Sequence, residues 1–266
     1  MIDTHAHLDF PEYDEDREEV ISRAFDNGVK KIVNVGCDLE RSRSSVKLAG
    51  KCENIFASVG LHPHEFNDQR SVEKDWIREL KKLAEDKKVV AIGEIGLDHF
   101  SHTADPITIE QKENQKKGFV AQIGLAQELN LPVIVHCRDA WEDLFKIISD
   151  YQQLKFVLHC YSGNKGDTEK FLELPNVYFS FSGNITYPKP EDRAEKLVAA
   201  VKMIPLERMM LDTDSPFLAP QERRGKRNEP VNVRYIAEKI AEIKEISLEE
   251  VEKTTDKNAI IFFGLG

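Results

Sequence analysis

The sequence predicts an α/β protein of the (β/α)8 TIM barrel class, a single domain over residues 1–266, and three observations predict it. Eight short β-type runs alternate with longer amphipathic segments along the whole chain. The length, 266 residues, is that of one such barrel. The third observation is positional: runs one, three, four, five, six and eight end in His, Glu or Asp, and closed βα barrels build their sites on the rim formed by the C-terminal ends of their strands. Alternation alone also allows a doubly wound open sheet, the second choice.

The elements follow in order. Ile2–His7 is the first β-type run, with His5 and His7 on one face because alternate strand residues point the same way. Glu15–Asn27 carries Val20, Ile21, Ala24 and Phe25 at helical spacing and stops at Gly28. Lys31–Val35 is the second strand and Leu39–Lys51 the second helix. Ile55–Leu61 is the third strand, running into His62-Pro63-His64. Val72–Ala84 spaces Trp76, Ile77, Leu80, Leu83 and Ala84 as a helix, and Lys88–Ile92 is strand four, followed by Gly93 to Asp98. A long connection, His99–Asn130, begins as a polar loop and becomes helical near Ile109. Leu131–His136 is strand five, Ala140–Asp150 a helix, and Lys155–His159 strand six. A short helix near Asp167–Leu174 precedes strand seven, Val177–Phe181. Pro190–Met203 is helical and Met209–Thr213 is strand eight. Beyond the polar loop Ala219–Val231 come closing helices at Asn232–Lys244 and Leu248–Thr255.

Composition narrows the function classes. With 37 basic against 47 acidic residues the net charge is −10. That argues against a protein that coats long nucleic acid, since such affinity comes from neutralising phosphates, but not against an enzyme gripping one or two of them. No apolar run approaches the roughly 20 residues of a membrane-spanning helix, and no signal-peptide pattern is seen. The expected location is cytoplasmic. Four cysteines without a C-x-x-C pair are expected to be reduced, with Cys137 and Cys160 packing into the helix layer. No G-x-G-x-x-G follows the first strand and no G-x-x-x-x-G-K-[ST] occurs, so no nucleotide cofactor is expected.

The candidate chemistry lies at the strand ends: His5, His7, His62, His64, Glu94, His136, His159, Asp212 and Asp214. Imidazole and carboxylate together suit zinc, manganese, iron or nickel, and carboxylates also accept magnesium.

These residues fall within Asp3-Thr4-His5-Ala6-His7-Leu8-Asp9, Gly60-Leu61-His62-Pro63-His64, Gly93-Glu94-Ile95-Gly96-Leu97-Asp98, His136-Cys137-Arg138, His159-Cys160-Tyr161-Ser162-Gly163, Asp212-Thr213-Asp214-Ser215-Pro216 and the basic run Arg224 to Pro230. Over essentially the full chain the sequence resembles the TatD family of metal-dependent deoxyribonucleases, among the amidohydrolase-like barrels. The resemblance implies two divalent cations (Zn, Mg, Mn or Ni), one held by His5, His7, Glu94 and Asp214, the other by Glu94, His136 and His159. Glu94 would bridge them, and Asp214 would be the general base, taking a proton from a water that a cation has acidified. Asp212 departs from the family, which has Glu there, and is read as orienting a ligand or satisfying a barrel donor. Some relatives in the wider superfamily bridge their metals with a carboxylated lysine; no Lys ends strand four here.

His62 and Arg138 are assigned to substrate phosphate, with a salt bridge to Asp139 or Glu142 as the competing reading for Arg138. The roles of His64 and His99 stay open, with His99, where the family has an aromatic, expected to face the cleft; His102 is expected to be solvated. Phe100, Tyr161 and Tyr187 are candidates for base stacking, with packing the favoured reading for each. The loop Glu222–Arg227 nets about +3, enough to steer a nucleic-acid end. The expected activity is hydrolysis of phosphodiesters from DNA ends or single strands; the alternative is a small phosphoester, amide or lactone on the same two-metal barrel.

Overall fold

The computed structural model describes residues 1–67, 75–101 and 105–266. Its strands are β1 (Ile2–Ala6), β2 (Lys31–Val35), β3 (Ile55–Val59), β4 (Val89–Asp98), β5 (Val133–Arg138), β6 (Phe156–Leu158), β7 (Val177–Phe181) and β8 (Met209–Leu211). They form one sheet in the order β1 to β8, every neighbouring pair parallel. The sheet closes on itself beyond β8: Asp214 N donates to His5 O at 2.9 Å, His7 N donates to Ser215 O at 2.8 Å, and Ala6 bridges Ser215. The architecture is a (β/α)8 barrel.

Helices α1 (Arg17–Asp26), α2 (Leu39–Ala49), α3 (Trp76–Ala84), α4 (Ile109–Leu129), α5 (Trp141–Ile148), α6 (Lys165–Leu172), α7 (Glu191–Met203), α8 (Val233–Lys244) and α9 (Leu248–Phe263) form the outer layer. Several begin on local signals. The Asp38 side chain accepts from Arg41 N at α2, and Thr108 with Gln111 and Asn164 with Asp167 form reciprocal capping boxes at α4 and α6. Residues 72–74, the expected start of the third helix, lie outside the described residues.

Two segments run longer than the sequence predicts. β4 continues through Gly93 and Gly96 to Asp98. Glycine reads as a strand breaker, but here it serves close approach: Gly96 has φ +149°, and a Cβ there would lie 1.9 Å from His136 O. α9 continues past Thr255 to Phe263 because its polar residues have partners. Thr255 Oγ1 donates to Val251 O, and Asn258 donates to Leu206 O and Met209 O, each at 2.8 Å.

That extension seals one end of the barrel. Val33, Val35, Val90, Ile134, Val157 and Met210 form a buried cluster with Ala259, Phe262 and Phe263 of α9. On their strands Ile134 alternates in phase with His136, Val157 with His159 and Met210 with Asp212. The inward face is therefore apolar at the α9 end and titratable at the other. No helix among the described residues is long and apolar enough to cross a membrane.

Candidate metal centre

β1 places His5 and His7 on the inward face. The ring of His7 is oriented by Nδ1, which lies 3.0 Å from the carbonyl of Val35. A carbonyl only accepts, so the proton sits on Nδ1 and the lone pair on Nε2 turns inward. His7 Nε2 lies 3.2 Å from His5 Nε2, 3.7 Å from Asp214 Oδ1 and 4.0 Å from Glu94 Oε2. His5 Nε2 lies 3.5 Å from Glu94 Oε2 and 3.9 Å from Asp214 Oδ1. Ligands held about 2.0–2.2 Å from one ion are separated by roughly 3.0–4.2 Å. His5, His7 and Asp214 offer ligand atoms close enough to one another to share a cation, and His5 and Glu94 do so with His159.

The second group forms on the other oxygen of the same carboxylate. Glu94 Oε1 is 2.8 Å from His136 Nδ1 and 3.0 Å from His159 Nε2. Asp98, on the same inward phase of β4 as Glu94, approaches the far side of the His136 ring, its Oδ2 3.3 Å from Nε2. A carboxylate on one ring nitrogen turns the other nitrogen's lone pair toward a metal. His159 Nδ1 is 3.9 Å from Asp212 Oδ2, and its ring stacks on His5 at 3.8 Å.

The electrostatics ask for positive charge. Burial alone would raise the carboxyl of Glu94, but His159, His136 and His5 hold it well below the usual range. Burial likewise opposes ionisation of Asp214, and His7, His159 and His5 prevail. In the opposite sense, burial disfavours the imidazolium of His136, yet Asp98 and Glu94 push its pKa up to about 9. His7 and His159 are also raised against burial by facing carboxylates. Cations can take the place of those protons, which is how metal uptake couples to proton release. The donor set thus has the chemistry to hold divalent cations.

The two aspartates divide by geometry. Asp212 is fully buried and accepts from the Ser180 and Ser182 hydroxyls and from Cys160 N. Its oxygens are occupied by barrel donors. Asp214 is partly exposed, at φ +51°, with Oδ1 turned to His5 and His7.

His62 comes within reach of Glu94 and His136, and of His64 and Asp98. The backbone N–H of His64 donates to His62 Nδ1 at 3.2 Å, and burial drives the His62 pKa well down. A neutral ring accepting at Nδ1 carries its proton on Nε2, which lies 3.9 Å from Glu94 Oε1. With Nδ1 occupied by the His64 N–H, His62 turns Nε2 toward the centre. His64 Nε2 lies 2.9 Å from Asp98 Oδ2.

Several expectations are corrected. His99 turns toward Asp143 of α5, at 4.0 Å, not into the cleft. The favoured packing reading of Tyr161 holds: it is fully buried, its hydroxyl 3.0 Å from that of Thr168 and its ring against Trp141 and Phe179. Tyr187 donates to Ala219 O and lies under the Arg224 guanidinium. In the basic loop, Arg227 is committed to Asp16, at 2.6 and 2.8 Å, and to Glu229. The steering charge left is Arg223, Arg224 and Lys226, all exposed. Arg138 makes no ion pair among the described residues. Its guanidinium stacks 3.6 Å over Phe100, while Glu142 pairs with Lys146. Thiols 37, 52, 137 and 160 are free. His102 lies outside the described residues.

The sequence reading gave no role to Asp98 or Phe217. Asp98 follows Glu94 by an even number of residues, a parity that counts only once β4 is known to continue. Phe217 follows Pro216 directly after the rim aspartate, and no periodicity marks it.

Comparison with known proteins agrees with this geometry. The model of the family described as TatD related DNase matches residues 2–264. The chain is 40% identical over 261 residues to an uncharacterized metal-dependent hydrolase, YabD, of Bacillus subtilis, covering 97% of each. It is 32% identical over 271 residues to the 3'-5' ssDNA/RNA exonuclease TatD of Shigella flexneri, covering 100% of this chain and 99% of the other. The crystal structure of YjjV, a TatD homolog from Escherichia coli, superposes with TM-score 0.88 at 29% identity, over 99% of this chain and 98% of that one.

Proposed function

The chain belongs to the TatD related DNase family and is a metal-dependent hydrolase, and from that premise we propose that it removes nucleotides from the 3′ end of single-stranded DNA or RNA. The observation that carries the reading is the division of Glu94, one oxygen facing His136 and His159 and the other His5 and His7. His5, His7, Glu94 and Asp214 would hold one divalent ion, and Glu94, His136 and His159 a second. Bound there, such ions supply neutralisation of phosphoryl oxygens and acidification of a water.

The protein's own groups do the rest. Asp214 is ionised and is the general base for the attacking water. His62 donates from Nε2 to a phosphate oxygen, and its neutrality keeps that proton in place. Arg138, its plane fixed against Phe100, offers paired N–H donors to the adjacent phosphate. Buried Asp212 ties the end of β8 to Ser180 and Ser182 of the β7 end and to Cys160 N, beside His159.

The test is incubation of metal-loaded protein with end-labelled single-stranded and double-stranded oligonucleotides, beside simple esters, amides and lactones. A ladder shortening from the 3′ end of single strands is expected. Turnover of an amide or lactone with intact oligonucleotides would replace the nuclease reading.

A further inference from the structure

Large apolar side chains left in water concentrate at contact sites. Among the described residues two phenylalanines are exposed in this way, Phe100 at 40% and Phe217 at 47%. Both stand at the mouth of the barrel, on opposite sides of it. Phe100 follows β4 and sits against Arg138 of β5, while Phe217 follows β8, next to β1. The two rings are in different situations. One face of Phe100 is taken by the Arg138 guanidinium at 3.6 Å, so this ring already has a partner.

Phe217 is packed beside two rings set at steep angles to it. Its N–H donates to Asp214 O at 2.8 Å, which places it one tight turn from the proposed base. Its ring meets Phe10 at 6.0 Å and 80°, and the metal-facing His7 at 6.3 Å and 64°. Phe10 is in turn backed by His7 at 4.7 Å and by the Arg41 guanidinium at 5.1 Å. A ring positioned by perpendicular neighbours and still half in water is a preformed surface for a flat partner.

We propose that Phe217, braced by Phe10, is the stacking platform for the base of the nucleotide whose phosphodiester lies at the centre, and that it gives the enzyme its requirement for an unpaired end. This rests on the nuclease reading and names the part of the site that meets the base. In a duplex the terminal base is held by its pairing partner and its inner neighbour, so it must fray before its nucleotide can turn into the centre and its base settle on the ring. Every base has a π-face, so the platform selects strand state and not sequence.

The experiment uses the full-length, metal-loaded protein and end-labelled single-stranded oligonucleotides, with either a normal or an abasic terminal nucleotide. Phe217→Ala is expected to raise KM on the normal end about 10-fold, the scale of one lost base–aromatic stack, and Phe217→Trp to restore it. On the abasic end the wild type loses its advantage, and the two proteins converge. If Phe217→Ala acts equally on both ends, or leaves KM on the normal end unchanged, the stacking role is overturned while the nuclease reading stands. A wild type that cleaves neither oligonucleotide overturns the nuclease reading, and this inference with it.

Discussion

Glu94 Oε1 lies 2.8 Å from His136 Nδ1, on a strand pair whose register is irregular at that point. The contact joins β4 to β5 and gives His136 one carboxylate, while Asp98 supplies a second at the other ring nitrogen. Replacing Glu94 by Gln removes the charge that both candidate ion sites share. Turnover should fall by at least about a hundredfold, the scale of losing one preorganised electrostatic group. Metal content after dialysis should fall below two ions per chain. Near-normal turnover with two ions bound would remove the bridging role.

The aspartates should separate cleanly. Asp214→Asn should depress kcat by orders of magnitude with a smaller change in KM and little change in melting temperature. Asp212→Asn should act first on stability, because the Ser180 and Ser182 hydroxyls and Cys160 N lose their shared carboxylate. Disturbing a buried acceptor of this kind costs about 1–3 kcal/mol, or roughly 2–10 °C in melting temperature for a chain of this size. A larger loss of kcat in Asp212→Asn, with unchanged melting, would reverse the assignment.

Metal uptake should depend on pH in a stated direction. Burial works against a charged His136, but Asp98 and Glu94 lift its pKa to about 9. In chelated protein the imidazolium therefore predominates below that pH, and a metal must displace its proton. Affinity for Mn2+ should rise as pH increases toward 9, by up to about tenfold per unit, and then level off. Calorimetry in buffers of different ionisation enthalpy should register the released proton. Asp98→Asn lowers the His136 pKa, so its affinity should level off at a lower pH. Affinity independent of pH from neutrality upward would show that the proton is not on His136.

Arg138 offers a test of planar recognition. Arg138→Ala should raise KM for oligonucleotides severalfold, and Arg138→Lys should recover only part of it. A lysine keeps the charge but neither forks onto a phosphate nor lies flat on Phe100. An unchanged Michaelis constant in Arg138→Ala would count against a phosphate contact.

Much of the barrel could be read before any coordinates. Strands Lys31–Val35 and Val177–Phe181 have the boundaries that their hydrophobic runs imply, and the candidate ligands are brought together at the rim. The misreadings share one cause. Gly93 and Gly96 argue locally for the end of a strand, and Thr255, Asp256 and Asn258 for the end of a helix. In both places contacts with distant parts of the chain outweigh local propensity. His99 departs from expectation for the same reason, since nothing in its neighbourhood says whether a rim residue turns inward or toward α5.

By itself the sequence determined the alternation of elements, the in-phase placement of His5 with His7, and the supply of imidazoles and carboxylates, because strand periodicity acts within a few residues. Only the tertiary structure decided which oxygen of Glu94 faces which histidines, that Asp212 is spent on Ser180 and Ser182, and that Phe217 is left in water. Those outcomes depend on atoms brought within hydrogen-bonding distance across gaps of dozens to hundreds of residues, and closure of the barrel sets that distance.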